Sequence, residues 1–233
     1  VSIKVNHIAS GSTGNAVLVE DGQSKLLFDC GLSYNKLARA VRFSEVSAVF
    51  VTHEHLDHCK AIPELLHRGV KVYSSAGTKK ALLEKGMEVT EMGVMMHGSQ
   101  IEEGSFYIKA FDVIHDAKEP LGFMFQSKVD NEKGVYIADS NYVQYYFNGI
   151  THFVIECNYA EDLLEMGDDP HFLKERIRRS HFSFEKLQDF FLETDMSDAK
   201  EIHLIHLSGR NSHANRFVDE IQKQTGVPTY VLE

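Results

Sequence analysis

Between Val51 and Lys60 the chain reads VTHEHLDHCK, with His53, His55, His58, Glu54 and Asp57 packed into six residues after an apolar run. Such side chains are costly to desolvate, and they repel like neighbours when charged. Neutral imidazole and carboxylate oxygen are also the donors that suit zinc, manganese and iron. Residues two apart on an extended segment share a face. His53 and His55 therefore point together if strand geometry persists past Thr52, while Asp57 and His58 approach after a bend. Two pairs of ligands can serve two ions, and each ion then needs further His or Asp from later in the chain. Glu54 is expected to point away and ligate nothing.

Matching residues occur downstream. His115 follows the apolar run of "FDVI", Asp139 follows "GVYIA", and His206 follows "EIHLI". Each sits where a strand would present a side chain at a sheet edge. Any one of these histidines alone has an ordinary structural explanation; the joint pattern favours a metal centre. His7, His67, His97, His152, His171, His203 and His213 are expected to be non-ligands, with His152 a candidate for the surroundings of the site.

Positioning such ligands takes strands with sharp exits. "SIKVNHIA", "AVLVE" and "SKLLFDCG" read as strands separated by the turn sequences "GSTGN" and "DGQS". "SYNKLARAVR" has helical spacing behind a capping Ser33, and "SAVFVT" reads as a buried strand leading into the histidine cluster. "KAIPELLHRG" and "AGTKKALLEKG" read as helices closed by Gly69 and Gly86. "SFYIKAFDVIH", "GFMFQSKV" and "GVYIA" read as strands. Thereafter strands and helices alternate through "THFVIE", "FSFEKLQDFFLET", "EIHLIHL", "SHANRFVDEIQKQ" and "PTYVL". The pattern predicts two sheets with helices outside, built from two similar βα halves in one domain over residues 1–233.

With 34 acidic against 24 basic residues the net charge is −10, a balance that leans against a long polyanionic partner. The best basic run, "KERIRRSH" from Lys174 to His181, is more commonly the mixed-charge face of a helix. No run approaches the roughly 18 apolar residues of a membrane span. The N-terminal "VSIKVNHIAS" lacks the basic-then-apolar layout of a signal peptide. Cys30, Cys59 and Cys157 are odd in number without CxxC spacing, which fits a reducing cytoplasm rather than a disulfide framework.

"THEHLDH" matches the HxHxDH signature of the metallo-β-lactamase superfamily, and the resemblance extends over nearly the whole chain. "FDCG" resembles that family's strand-ending DxG, and His115, Asp139 and His206 fall in the order of its later ligand motifs. The resemblance implies an α/β (α+β) fold, the four-layer αββα sandwich, with two divalent ions at one edge, zinc foremost and manganese the alternative. It implies that His53, His55 and His115 hold one ion and that Asp57, His58 and His206 hold the other. Asp139 would bridge the two, and Asp57 also counts among the catalytic groups.

"ASGSTGNAVLVE", "HDAKEPLGF" and "IHLSGRNSH" are similar to the YycJ/WalJ group and to the ribonuclease Z branch. Glu156 in "FVIECNY" resembles the "HEA" motif of that branch, and His181 in "RSHFSF" resembles its "GHST" motif. There the pair donates a proton to the departing oxygen. The chain shows no long insertion like the tRNA-gripping arm and is shorter than typical YycJ members. Compact members include phage anti-Pycsar proteins, which hydrolyse cyclic nucleotides.

The resulting expectation is a dinuclear-metal phosphodiesterase acting on a nucleotide, with cyclic mononucleotides first. The alternative is a YycJ-like or ribonuclease Z-like nuclease on DNA or RNA, including single strands; thioester or lactone hydrolysis comes third. Ser12, Thr13 and Asn15 either cradle a phosphate with their backbone or form a tight turn. Ser208 and Asn211 either touch substrate or shape a loop. The aromatic "NYVQYYFNG" either stacks a base or serves as core or subunit contact. A homodimer without membrane attachment is expected from the resemblance, with Glu161–His181 as an interface or lid.

Overall fold

The computed structural model describes residues 2–231 and divides the chain into two compact units. The first runs to Asp112 and takes in Ala117–Glu132; the second comprises Val113–Asp116 and the chain from Lys133 onward.

In the first unit the elements are β1 (Lys4–Ala9), β2 (Ala16–Glu20), β3 (Lys25–Phe28), α1 (Tyr34–Ala40), β4 (Val46–Phe50), α2 (Leu56–Cys59), α3 (Ile62–His67), β5 (Val72–Ser74), α4 (Ala76–Glu84), β6 (Gly93–Val94), β7 (Gln100–Glu103), β8 (Phe106–Asp112) and β9 (Leu121–Ser127). Strands β1 to β6 form one sheet in chain order, antiparallel at β1–β2–β3 and parallel from β3 onward. Strands β7, β8 and β9 pair antiparallel. Both faces of the β3–β4 centre are buried, which is why "LLF" of β3 and "AVF" of β4 are continuously apolar rather than alternating. One face, through Leu27 and Val49, packs on Leu37 of α1, Ile62 and Leu65 of α3 and Leu82 of α4. The other turns Phe28 and Phe50 toward Phe123 of β9, with ring centroids 5.9 and 5.5 Å away.

In the second unit β10 (Lys133–Ile137), β11 (His152–Glu156), β12 (Glu201–Ile205) and β13 (Thr229–Val231) pair in parallel. Their connections carry α5 (Glu161–Met166), α6 (His171–Ser180), α7 (Phe184–Glu193) and α8 (Ala214–Thr225). Ser183 caps α7 by accepting the Lys186 N–H at 3.2 Å. Phe184 at the start of α7 stacks on Phe217 of α8 at 4.5 Å, so the two helices close over the sheet as a pair. Gly226 ends α8 with φ +71°, the left-handed turn that glycine adopts without strain.

Short β5 and β6 have too few residues to show a period of their own. His115 is not the last residue of a strand: β8 ends at Asp112, and His115 sits three residues further on in the loop. Among the described residues no helix is long and apolar enough to cross a membrane.

Three strand exits share a device. Asp29 after β3, Asp139 after β10 and His206 after β12 have φ of 57°, 46° and 56°. A non-glycine residue in that region costs on the order of 1–3 kcal/mol and persists only where its surroundings hold it. Each exit turns the chain sharply and leaves its side chain at the sheet edge.

Candidate functional site

In the first unit the histidine cluster follows β4 and runs into the short helix α2, with His55 as its N-cap. Main chain from two earlier loops clasps it. The Asn15 N–H donates to Asp57 O at 2.7 Å, and the Cys30 N–H donates to His58 O at 2.7 Å. Gly31 N–H donates in turn to Asn15 O at 2.9 Å. A Cβ on Gly31 would stand 1.6 Å from Asp57 O, so only glycine permits this approach.

Within the clasp, His53 Nε2 lies 2.9 Å from His55 Nδ1, so the two rings share a face. His58 is fully buried. Its Nδ1 sits 2.8 Å from Asp29 Oδ2, and its Nε2 lies 3.6 Å from Asp57 Oδ2. A carboxylate only accepts, so the His58 proton belongs on Nδ1 and Nε2 keeps its lone pair. This is the carboxylate–histidine pairing that orients a metal-binding imidazole. Asp29 is itself fixed by the Thr52 N–H and hydroxyl, at 2.8 and 3.0 Å. Glu54 turns away from this group: its Oε1 accepts the Lys118 N–H at 2.9 Å, tying down the neighbouring loop.

The second unit gathers His115, Asp139, Glu156, His181 and His206. Donor atoms of Asp139, Glu156, His181 and His206 all lie within 4.8 Å of one another, an arrangement able to hold a metal ion. His115 Nε2 is 3.5 Å from Asp139 Oδ2. Its Nδ1 lies 2.7 Å from Ser180 O, so Nδ1 carries the proton and Nε2 keeps its lone pair. His206 Nδ1 lies 2.5 Å from Asp139 Oδ1 and 2.9 Å from Glu156 Oε1, which likewise leaves Nε2 for a ligand.

Glu156, at the end of β11, is fully buried and wholly engaged. Its Oε2 accepts the N–H groups of Ser140 at 2.9 Å and Phe182 at 3.1 Å, while Oε1 lies 2.6 Å from His181 Nδ1. Burial disfavours its charge, but His181 beside it and these bonds outweigh burial and hold its carboxyl below the usual range. Burial also works against a charged His181, and Glu156 overcomes it, raising the imidazole above its ordinary value. The end of α6 thus serves twice: Ser180 orients His115 through its carbonyl, and His181 faces Glu156.

The secondary residues are mostly occupied by their own loops. Ser12 and Thr13 are exposed in a turn flanked by Gly11 and Gly14, both at positive φ. Asn15 is buried: its Oδ1 accepts the Gly11 N–H at 2.8 Å, and its Nδ2 lies 3.0 Å from His58 Nε2. Ser208 Oγ accepts the Asn211 N–H at 3.2 Å, and Asn211 O accepts the Ala160 N–H at 2.9 Å. His152 lies at the start of β11, the opposite end of the strand from Glu156, beside Thr151 and Glu201. Sequence patterning does not single out Asp29 as an orienting group or Ser180 as the carbonyl behind His115; "FDCG" is the one visible trace of the former.

Residues 24–207 match the family described as the beta-lactamase superfamily domain. The chain belongs to that superfamily and is an enzyme of its hydrolase class. Exodeoxyribonuclease YycJ of Bacillus anthracis is 32% identical over 220 residues, covering 88% of this chain and 82% of that protein. Exodeoxyribonuclease WalJ of Streptococcus pneumoniae is 28% identical over 228 residues, covering 91% and 84%. A shorter match, 34% over 109 residues, joins 42% of this chain to 39% of ribonuclease Z from Methanopyrus kandleri. Among solved structures, the metallo-β-lactamase fold protein YhfI from Bacillus subtilis superposes with a TM-score of 0.76 at 18% identity. That match covers 100% of this chain and 98% of YhfI, and it shows the same fold.

Proposed function

We propose that this protein is a metal-dependent phosphodiesterase that hydrolyses nucleic-acid strands, with single-stranded DNA ends the first substrate class. The observation that carries the reading is the 2.6 Å pairing of His181 with buried Glu156, beside Asp139 and His206. Relatives named as exodeoxyribonucleases, matched over more than four-fifths of their length, support it.

The donor set fits divalent metal. Carboxylates and imidazoles are the ligands that suit zinc or manganese, and the second nitrogens of His58 and His115 are held by Asp29 and by the Ser180 carbonyl. His53, His55, Asp57 and His58 in the first unit, and His115, Asp139 and His206 in the second, are the candidate ligands. Bound divalent ions supply water activation and neutralise phosphate charge.

The chain's own residues do the rest. Glu156 keeps His181 protonated and fixes its ring through Nδ1, so Nε2–H is the proton presented to the departing oxygen. As the P–O bond breaks, that proton passes to the leaving oxygen and the imidazole becomes neutral. General-acid help of this kind contributes about 10²–10⁴ in rate. Asp29 and Ser180 act behind the ligands, fixing which nitrogen of His58 and His115 carries the proton.

A second reading, hydrolysis of cyclic mononucleotides to nucleoside monophosphates, is favoured by the net charge of −10, which repels long polyanions. Metal-loaded protein incubated with end-labelled single-stranded DNA, RNA and a cyclic-nucleotide panel separates the two. Progressive shortening of DNA is the expected result; turnover of cyclic nucleotides with DNA left intact would establish the second reading instead.

A further inference from the structure

We infer that one stripe of α6, formed by Phe172, Arg176 and Arg179, binds the nucleotide adjoining the scissile phosphodiester. The substrate is then a strand of single-stranded nucleic acid and not an isolated mononucleotide. This rests on the phosphodiesterase reading above.

The three arginines of "RIRR" face different tasks. Arg178 is half-buried and saturated: it pairs with Glu161 at 3.0 Å, with Glu175 at 2.8 Å and with Glu165. Arg176 and Arg179 are exposed. Among the described residues Arg179 has no ion pair, and Arg176 reaches only the exposed Asp116, at 4.0 Å. An exposed pair at that distance is worth little and yields to a better anion.

Positions 172, 176 and 179 are spaced four and three apart, so their side chains line one side of the helix. They wall a cavity of about 530 Å³ together with Ile114, His115 and Ser180, a size in the range of small-ligand sites. Its floor is therefore shared with a proposed metal ligand, His115, whose Nδ1 is held by Ser180. Phe172 is 76% exposed, an apolar ring left in water on a helix whose only fully buried residue is Ser180. An exposed ring with two forked cations at one- and two-turn spacing matches a nucleotide: the ring offers a stacking platform for a base, and guanidinium groups pair with phosphate oxygens. Two acids also line the cavity. Glu175 is held by Arg178, and Asp116 is the weak partner of Arg176, so neither cancels the Arg179 charge.

The test uses full-length, metal-loaded protein. Binding of fluorescein-labelled oligothymidylate and oligouridylate is read by anisotropy across a salt series, alongside turnover of bis(p-nitrophenyl) phosphate. In the Arg176→Ala/Arg179→Ala variant, oligonucleotide affinity is expected to fall about 100-fold, roughly tenfold for each charge-assisted contact. The slope of log affinity against log salt should flatten by about 1.4. Phe172→Ala should cost about tenfold with the slope unchanged. Turnover of the small ester, which has no adjoining nucleotide for the stripe to hold, should stay within about twofold in all variants.

Wild-type affinity in the double variant, with the small ester still turned over, overturns the inference and leaves the phosphodiesterase reading standing. Wild-type protein that cleaves neither oligonucleotide nor small ester with zinc or manganese overturns both. Where the double variant loses affinity, preference for oligothymidylate over oligouridylate assigns the strand as DNA and the reverse as RNA.

Discussion

In the first unit His53, His55, Asp57 and His58 arise from six consecutive residues, and main chain does most of the holding: Asn15, Cys30 and Gly31 hydrogen-bond or abut the carbonyls of Asp57 and His58, with a single carboxylate, Asp29, on His58. In the second unit His115, Asp139, Glu156, His181 and His206 span 92 residues, and ionisable side chains hold one another, with Glu156 shared between two imidazoles. A backbone clasp sets geometry without regard to protonation. A carboxylate–imidazole network sets both geometry and where protons reside. The first arrangement suits passive ligands, the second a group that must give up a proton. Substitutions in the two units should therefore fail differently.

The largest effect is expected at the clasp. Gly31→Ala drives a Cβ into Asp57 O, and backbone must move; overpacking of this severity should cost at least about 3 kcal/mol and lower the melting temperature by about 10 °C or abolish folding. A melting temperature within about 2 °C of wild type would show that the clasp is looser than described.

His181→Ala should leave folding largely intact, because the ring sits at the mouth of its network, yet lower kcat on oligonucleotide by about 10²–10⁴. Bis(p-nitrophenyl) phosphate, whose leaving group needs no proton, should be spared. Equal losses on both substrates would remove His181 from the proton-donor role.

Asp29→Asn tests whether the first unit has a charge component of its own. Zinc affinity, measured by chelator competition, should weaken about 10–100-fold, since the carboxylate no longer orients His58. Unchanged affinity would mean that the main-chain clasp alone positions the ring.

The smallest contrast lies on α6. Arg178→Ala removes a cation shared by three carboxylates and should cost about 0.5–1 kcal/mol in denaturant unfolding. Arg179→Ala should stay within about 0.5 kcal/mol. A reversal of that order would show that the two arginines have been given each other's roles.

Legibility in the sequence follows range of interaction. Long apolar strands and capped helices such as β4, β11 and α7 are visible because burial on a regular element imposes a period on the chain. Three-residue β5 and two-residue β6 carry no period and are made strands by their neighbours. His115 lies beyond its strand for a similar reason: apolar Val113 and Ile114 extend the pattern of β8, although the ladder stops at Asp112. Asn15 carries contacts that only three dimensions reveal, its side-chain amide being turned inward against Gly11, Asp57 and His58.

By itself the sequence determined which chemistry is present: HxHxDH, His115 after the apolar run of β8, Asp139 and His206 at strand exits, and the acid and imidazole at Glu156 and His181. Those residue types are costly to bury and persist only where something requires them. Tertiary structure alone decided their protonation and direction. The proton of His58 is set by a carboxylate 29 residues away and that of His115 by a carbonyl 65 residues away, and the three arginines of one helix are divided between structure and solvent by what α5 places beside them. Hydrogen bonds act over about 3 Å in space and are indifferent to distance along the chain, so no local pattern records them.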